Sequence, residues 1–507
     1  MAENLYGGSS VQVFADSDDW PNLEHTHEDA TGFLDYVARF HALNYRLKDD
    51  DVAQWRFDPV FDDADDWRGA DSVRVFYHAG HGDMLADGTF EFPMGISWAT
   101  RTSSFSNMMR FGDQNLRYLF LSTCESLRVT SGDDPWRTWH RANEGCRMIF
   151  GFGSTSLDWW AYGQNFFRVW NTGASFSQAW QDASQSLTHN QIVSSTACGS
   201  TREEAQDRLW NERLFDGARV SDNWYWWRWA GISPDVDVEV HLGIGVPQAP
   251  LHFKAKRRRE ERAARLARGF DLRLIQVDAA NPFDREATGF RPAAAHSDDD
   301  TIALRLAVVD PRAELASNNE LRASADRIAK ELDPEGRLDL VFDRFTSSFH
   351  AGAGRDGEKV EPAVADFTAY YRQRFDGVAA VMGGAGHLAV TLDRSGRPCR
   401  IIDRTVEVTE AQPEGAPPEP EGAGGRADIR RMLDEAQKRR FNPCGDLKLE
   451  FDPDQDEVGY RFSDGIGRLV ARREVTVIGR RGRKTQLIEI PIGNVPGLPV
   501  GAENSAS

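Results

Sequence analysis

Two apolar runs constrain this chain more than any other feature: "SVRVFYHAGHGDM" (Ser72 to Met84) and "LRYLFLSTCES" (Leu116 to Ser126). Each holds an unbroken apolar stretch of strand length and then releases polar groups, histidine beside glycine in the first and cysteine in the second. A strand covered by helices on both faces reads as such a continuous run, whereas a half-exposed strand alternates. "CRMIFGFGS" is a third run of this kind, "VQVFA" opens the series, and helix-period segments such as "ATGFLDYVARFHAL" lie between them. Alternation of buried strands with amphipathic helices predicts an α/β fold with a parallel sheet. Two more helices are expected after the third run, "WWAYGQNFFRVWNTG" and "SFSQAWQDASQSLTHNQ", the second starting at a serine N-cap, Ser175 or Ser177.

With 507 residues the chain exceeds what one core usually serves, so several domains are expected. Residues 10–235 form the first. After Pro250 the composition turns basic, and "KAKRRREERAARLARG" (Lys254 to Gly269) carries eight basic residues against two acidic ones, which marks 236–299 as a basic helical junction. "TIALRLAVVD", "ELRASADRIAKEL", "RLDLVFDRF", "VADFTAYYRQRF" and "HLAVTLDRSGRPCRIIDRTVEV" predict strand, helix, strand, helix and a hairpin turning at Arg394-Ser395-Gly396, an α+β domain over 300–410. The Pro-, Gly- and Glu-rich segment 411–425 cannot bury a core and reads as a linker. A last α+β module covers 426–498. The tryptophan-dense "NWYWWRWAG" is expected to pack domains together rather than to cage a ligand.

A net charge of -19 argues against nucleic acid as partner, since phosphate contacts need clustered lysine and arginine. No run of 18 apolar residues predicts a membrane span, and the opening "MAENLYGGSSVQVF" has no apolar signal region. Five cysteines, Cys124, Cys146, Cys198, Cys399 and Cys444, share no CxxC spacing and imply neither a disulfide framework nor a zinc knuckle. The expectation is a soluble cytoplasmic protein.

Functional groups of open α/β sheets collect beyond the carboxyl ends of the strands. A cysteine with a thiol pKa of about 8.5 needs a neighbouring base to act as a nucleophile at neutral pH, and a histidine on the adjacent strand end supplies one. Attack on an amide also builds charge on oxygen, which backbone N–H groups must receive at a worth of roughly 3 kcal/mol per donor. Metal chemistry is the competing reading: His78, His81 and Asp83 form an H-x-x-H-x-D run, and His25 and His27 add two more donors. The helical H-E-x-x-H pattern is missing, and glycines flanking His81 oppose a helix. The acidic "DDADD" run is a solvated loop or, less simply, a calcium site.

"FYHAGHG" and "YLFLSTCES" resemble the caspase-like clan of cysteine peptidases, which includes gingipains, clostripain, separase and the CHAT proteases. There, one apolar strand ends in His-Gly and a second in a small residue and Cys, and the two side chains form a dyad. The resemblance implies His81 as base, Cys124 as nucleophile, and an oxyanion hole from the backbone N–H groups of Gly82 and Cys124. "GCRMIFGFGSTSLDWW" looks like the clan's next core strand and loop, which puts Asp158 at the substrate-binding position, and "FFRVWNTGASFSQAWQDA" is similar to the helix pair that closes the sheet in gingipain and CHAT domains. It covers about residues 10 to 235 and implies a bacterial endopeptidase cleaving protein or peptide substrates after arginine or lysine. No cofactor or metal is implied, and the C-terminal domains would recognise substrate or engage a regulatory protein. His78 is then a packing or loop-bracing residue. The basic run from Lys254 to Gly269 becomes a candidate for self-cleavage, although its composition favours a helix. The same fold without activity, serving as a scaffold for a protein partner, is the alternative of another class.

Overall fold

Gly7 and Gly8 explain the first departure from these expectations. The opening strand is Tyr6–Ser10, "YGGSS", and residues 11–15 follow it without strand structure. Glycine and serine are poor strand formers, yet a Cβ on Gly7 would lie 2.7 Å from the Tyr45 ring and one on Gly8 2.7 Å from the Tyr77 carbonyl oxygen. The neighbouring strands approach so closely that only glycine fits. The computed structural model describes residues 4–492 apart from 63–67, 130–131, 233–251, 257–258, 277–279, 285–292, 297–300, 376, 411–425, 442–446 and 464. The expected linker 411–425, the core of the "DDADD" run and Cys444 therefore lie outside the described residues.

The protein is mixed α/β, built on one large sheet that is mostly strand in its second half. Five strands run parallel in the order Tyr45–Lys48, Tyr6–Ser10, Val75–Ala79, Tyr118–Ser122, Met148–Phe152. Alternate residues of the histidine strand enter two different cores. Val75, Tyr77 and Ala79 face the helices Thr26–Ala38, Tyr162–Asn171 and Phe176–Gln185, while Phe76 joins Phe90, Phe92, Met94 and Trp139 on the opposite face. Burial on both faces is why the run is apolar throughout. Ser175 caps the last of these helices, its Oγ accepting the Gln178 N–H at 3.3 Å.

Beyond Met148–Phe152 the sheet turns antiparallel, apart from its outermost pair, Ala293–His296 with Arg273–Gln276, which is parallel. Val193–Gly199 and the tryptophan strand Trp224–Ile232 come next, and the latter pairs with Leu340–Gly354, so the sheet continues without a break from the first half of the chain into the second. Lys359–Phe375, His387–Asp393 and Pro398–Asp403 follow, then Ile302–Arg305, Ala293–His296 and Arg273–Gln276. The segment "VADFTAYYRQRF", expected as a helix, is thus strand. Its Phe367, Ala369 and Tyr371 enter one core at a period of two, which β-branched and aromatic residues favour. The hairpin at Arg394-Ser395-Gly396 forms as expected, with Gly396 at φ +81° and the Asp393 carboxylate accepting the Ser395 and Arg397 N–H groups. Arg259–Gly269 is helix and buries Ala263, Leu266 and Ala267. The candidate self-cleavage run is therefore packed along that length, not extended.

Arg228 of the tryptophan strand ties the halves together. Its guanidinium is buried and bonds Gln178 Oε1 at 2.9 Å, Ser348 Oγ at 2.9 Å and Asp366 Oδ2 at 2.9 Å. A second sheet of the C-terminal region runs Glu407–Glu410, His252–Lys256, Ile466–Ile478, Arg483–Pro491, Leu157–Asp158. Its last partner, Leu157–Asp158, belongs to the first half of the chain, which brings the hairpin Ile466–Pro491 across the strand ends. Among the described residues no helix is long and apolar enough to cross a membrane.

Candidate active site

In the parallel pairing of the histidine and cysteine strands, Ala79 stands opposite Ser122. Gly80 N–H donates to the Ser122 carbonyl at 3.3 Å and extends the ladder by one step. His81 is two residues past Ala79 and Cys124 two past Ser122, so equal overhangs bring both to one edge. Gly82 closes the approach: a Cβ there would lie 2.7 Å from the Cys124 carbonyl oxygen and 2.7 Å from the Phe90 ring.

His81 is fully buried, with the rings of Phe14 at 4.9 Å and Trp20 at 5.6 Å. Its Nε2 lies 2.7 Å from the Pro21 carbonyl oxygen, which can only accept, so Nε2 carries the proton. Nδ1 has no hydrogen-bond partner among the described residues and in the neutral ring keeps its lone pair. Burial pushes the His81 pKa down to about 3, the Pro21 bond opposes this, and the Lys484 ammonium adds to the depression. The ring is neutral at pH 7 in this arrangement. His78 has a different environment: its Nδ1 is 2.8 Å from Ser9 Oγ on the adjacent strand, and its ring stands edge-on to Phe57 and Phe92. It braces the sheet.

Cys124 is fully buried. Its thiol donates to the Arg483 carbonyl at 3.2 Å, and its sulfur accepts the Ser156 N–H at 3.3 Å with Ser156 Oγ 3.6 Å away. The next residue, Glu125, has φ +56°, a left-handed conformation that costs a non-glycine residue and turns the chain sharply just beyond the thiol. Its carboxylate bonds Arg128 at 2.8 Å and Arg483 at 2.7 Å. Asp83 lies near: burial raises its pKa to about 6, and the Glu125 charge pushes it further the same way. Lys484 is 2 % exposed, with Nζ 2.7 Å from Ser156 Oγ and 3.5 Å from the Gly80 carbonyl.

Asp158, expected to meet substrate, is engaged otherwise. It is buried, and its two oxygens accept the Glu24 N–H at 2.8 Å and the His25 N–H at 3.3 Å, which fastens the 24–25 loop. Both oxygens are thus turned to the protein's own backbone. The expected metal set does not converge either, since His27 pairs with Asp49 at 2.9 Å while His78 and His81 hold Ser9 and Pro21. Among the described residues no group of three His, Cys, Asp or Glu side chains is placed to hold a metal ion. Cys146, Cys198 and Cys399 are buried free thiols.

Glu125, Ser156, Arg483 and Lys484 had no expected role. Glu125 directly follows the cysteine and was within reach of sequence reasoning. Arg483 and Lys484 sit in "VIGRRGRKTQLIEI", which signals a basic hairpin but nothing about where its tip goes.

Residues 12–231 match the family model of a domain of unknown function, DUF6345. That span holds His81, Gly82, Cys124, Glu125 and Asp158, and stops well short of the hairpin. No curated protein matches the chain.

Proposed function

We propose that the protein is a caspase-like cysteine endopeptidase working through an acyl-enzyme. The observation that carries this reading is the equal overhang of His81 and Cys124 beyond the register pair Ala79 and Ser122, with the Arg483 carbonyl set against the thiol; His81 Nδ1 has no partner among the described residues, the thiol included, so a turn of the thiol from the Arg483 carbonyl to the imidazole precedes attack. Cys124 Sγ attacks the scissile carbonyl carbon as His81 takes the thiol proton. Collapse of the tetrahedral intermediate breaks the C–N bond, His81 gives the proton to the leaving amine, and water then hydrolyses the thioester. The backbone N–H groups of Gly82 and Cys124 receive the oxyanion, and the lack of a side chain at 82 keeps that approach close. Burial holds the His81 ring in its neutral form, and the sulfur accepts the Ser156 N–H.

Peptide-library cleavage by the full chain carrying Arg483→Glu, which lifts the backbone lying over the thiol, tests the reading. Cys124→Ala and His81→Ala should each lower the rate by roughly 10³-fold or more, as members of one catalytic unit do, and His78→Ala should cost much less. Loss of activity in His78→Ala with His81→Ala active would transfer the base to His78.

The inactive-scaffold reading draws on one observation: the thiol is fully buried beneath the Arg483 backbone. Absence of cleavage and of peptide-directed labelling at an otherwise alkylatable Cys124 would favour it.

A further inference from the structure

Strands Ile466–Ile478 and Arg483–Pro491 form a hairpin whose turn, Gly479 to Gly482, reads Gly-Arg-Arg-Gly. The tip is fitted to the strand-end loops. Arg481 N–H and Gly482 N–H point to the Asp19 carbonyl at 3.3 and 3.4 Å, and a Cβ on Gly482 would lie 2.1 Å from the Trp20 ring that flanks His81. Arg481 reaches Glu91 at 3.2 Å. The chain then passes directly over the thiol. Arg483 turns its carbonyl to Cys124 Sγ at 3.2 Å and its guanidinium to Glu125 at 2.7 Å. Lys484 follows into the interior beside Ser156, Thr485 N–H donates to the Ser156 carbonyl at 3.2 Å, and Thr485 and Gln486 pair with Leu157 and Asp158 as an added strand.

This is how an extended peptide is held by strand addition, with main-chain bonds for grip and a pocket for one side chain. The residue that offers its carbonyl to the thiol is an arginine, and the carboxylate that takes its side chain belongs to the residue after the thiol. Glu125 is 5 % exposed, against 52 % for Arg483, so the acid is built into the wall and the base reaches in from outside. Acidic Asp83 beside it and Glu91 at the hairpin tip match a basic ligand.

We propose that Glu125, backed by Asp83, is the specificity carboxylate that selects arginine or lysine at the residue whose carbonyl Cys124 attacks, and that Arg483 of the chain's own hairpin occupies this position as a tethered competitor of substrate. The proposal rests on the endopeptidase reading and assigns the carboxylate of its pocket and the regulation of its site. Tethering supplies the competitor at an effective concentration on the order of millimolar, so modest contacts suffice to keep the site filled. Displacement of the hairpin tip then opens the thiol to basic peptides.

The test uses the full-length chain and peptidyl acyloxymethyl ketones carrying Arg, Lys, Leu or Asp next to the ketone, with labelling of Cys124 followed by intact mass. Arg483→Glu sets a second carboxylate against Glu125 and Asp83 and should expel the tip; Arg481→Glu does so by a separate contact, and Arg483→Lys should behave as wild type. Circular dichroism and thermal unfolding establish that each variant is folded. The Arg ketone should label Arg483→Glu and Arg481→Glu at least roughly tenfold faster than wild type, and Glu125→Gln added to Arg483→Glu should lower the ratio of Arg-ketone to Leu-ketone labelling roughly tenfold. Folded hairpin variants that label no faster than wild type would overturn the competitor, and an Arg preference that survives Glu125→Gln would overturn the pocket. Failure of the endopeptidase reading looks different: iodoacetamide alkylates Cys124 in the hairpin variants, yet no peptidyl ketone labels it and no peptide is cut, and the proposal falls with that reading.

Discussion

Gly82→Ala probes the joint between the two strand ends with a single methyl group. The added Cβ would lie 2.7 Å from the Cys124 carbonyl oxygen and 2.7 Å from two carbons of Phe90, where unstrained contacts are about 3.5–4.0 Å. Roughly 1 Å must be recovered. Phe90 cannot swing aside, because it is fully buried, stacked on Phe92 at 5.6 Å and packed on Trp139 at 5.7 Å. The Cys124 backbone is the other neighbour, and it carries the thiol with it. Overpacking of this kind costs about 1–3 kcal/mol, so the variant should fold with a lower urea midpoint. A nucleophile moved by about 1 Å loses on the order of 10²-fold in rate. Gly80→Ala is the control, since its Cβ would first meet the His78 side chain at 3.2 Å, and it should stay within a few-fold of the parent in rate. Urea unfolding and hydrolysis of an arginyl peptide, both in the Arg483→Glu background, measure the two effects. A Gly82→Ala protein as stable and as fast as Gly80→Ala would refute the close approach as a requirement of the site.

Asp158→Asn should lower stability by about 1–3 kcal/mol through its weakened hold on the Glu24 and His25 N–H groups, and should leave the ratio of arginyl to leucyl peptide cleavage unchanged; a collapse of that ratio would restore Asp158 as the pocket acid. Arg228→Met should cost about 3–5 kcal/mol in denaturant unfolding, since it strips the buried Asp366 of its cation. Burial raises the Asp366 pKa to about 6 even with Arg228 present, so the folded state binds the extra proton and this contribution is present below pH 4 and lost as pH rises through 6; the variant should regain stability on acidification. His78 runs the other way: burial and then the Lys484 charge hold its pKa at about 3, so its stabilising contribution is present above about pH 6.5 and lost as pH falls toward 3. At pH 5 the loss is about 2 kcal/mol, and His78→Gln should flatten the fall of the thermal midpoint between pH 6.5 and 5 by one proton's worth.

Much of the first half of the chain was legible because its information is local. A two-sided strand shows as an apolar run, Ser175 as a cap, and Gly396 as the turn of a hairpin, each within a few residues of the structure it specifies. The equal overhang of His81 and Cys124 past their strand ends also follows from sequence once the two runs are taken as neighbouring parallel strands. Local signals failed where a distant surface chose the conformation. Tyr6–Ser10 is a strand because Tyr45 and Tyr77 press on two glycines, and "VADFTAYYRQRF" is a strand because Leu340–Gly354 and His387–Asp393 flank it in the sheet. The pocket acid is the sharpest case. Asp158 and Glu125 are both carboxylates a few residues past core strands, and nothing in their sequence neighbourhoods says that one binds the 24–25 backbone while the other meets an arginine. That choice is made by the Arg483 carbonyl and guanidinium, 359 and 358 residues along the chain from the groups they touch. Sequence by itself determines which segments can be strands and which side chains carry chemistry, since those depend on near neighbours. The filling of the site is decided by tertiary structure alone, because a hairpin tip finds its partner through shape and charge brought together only when the chain has folded.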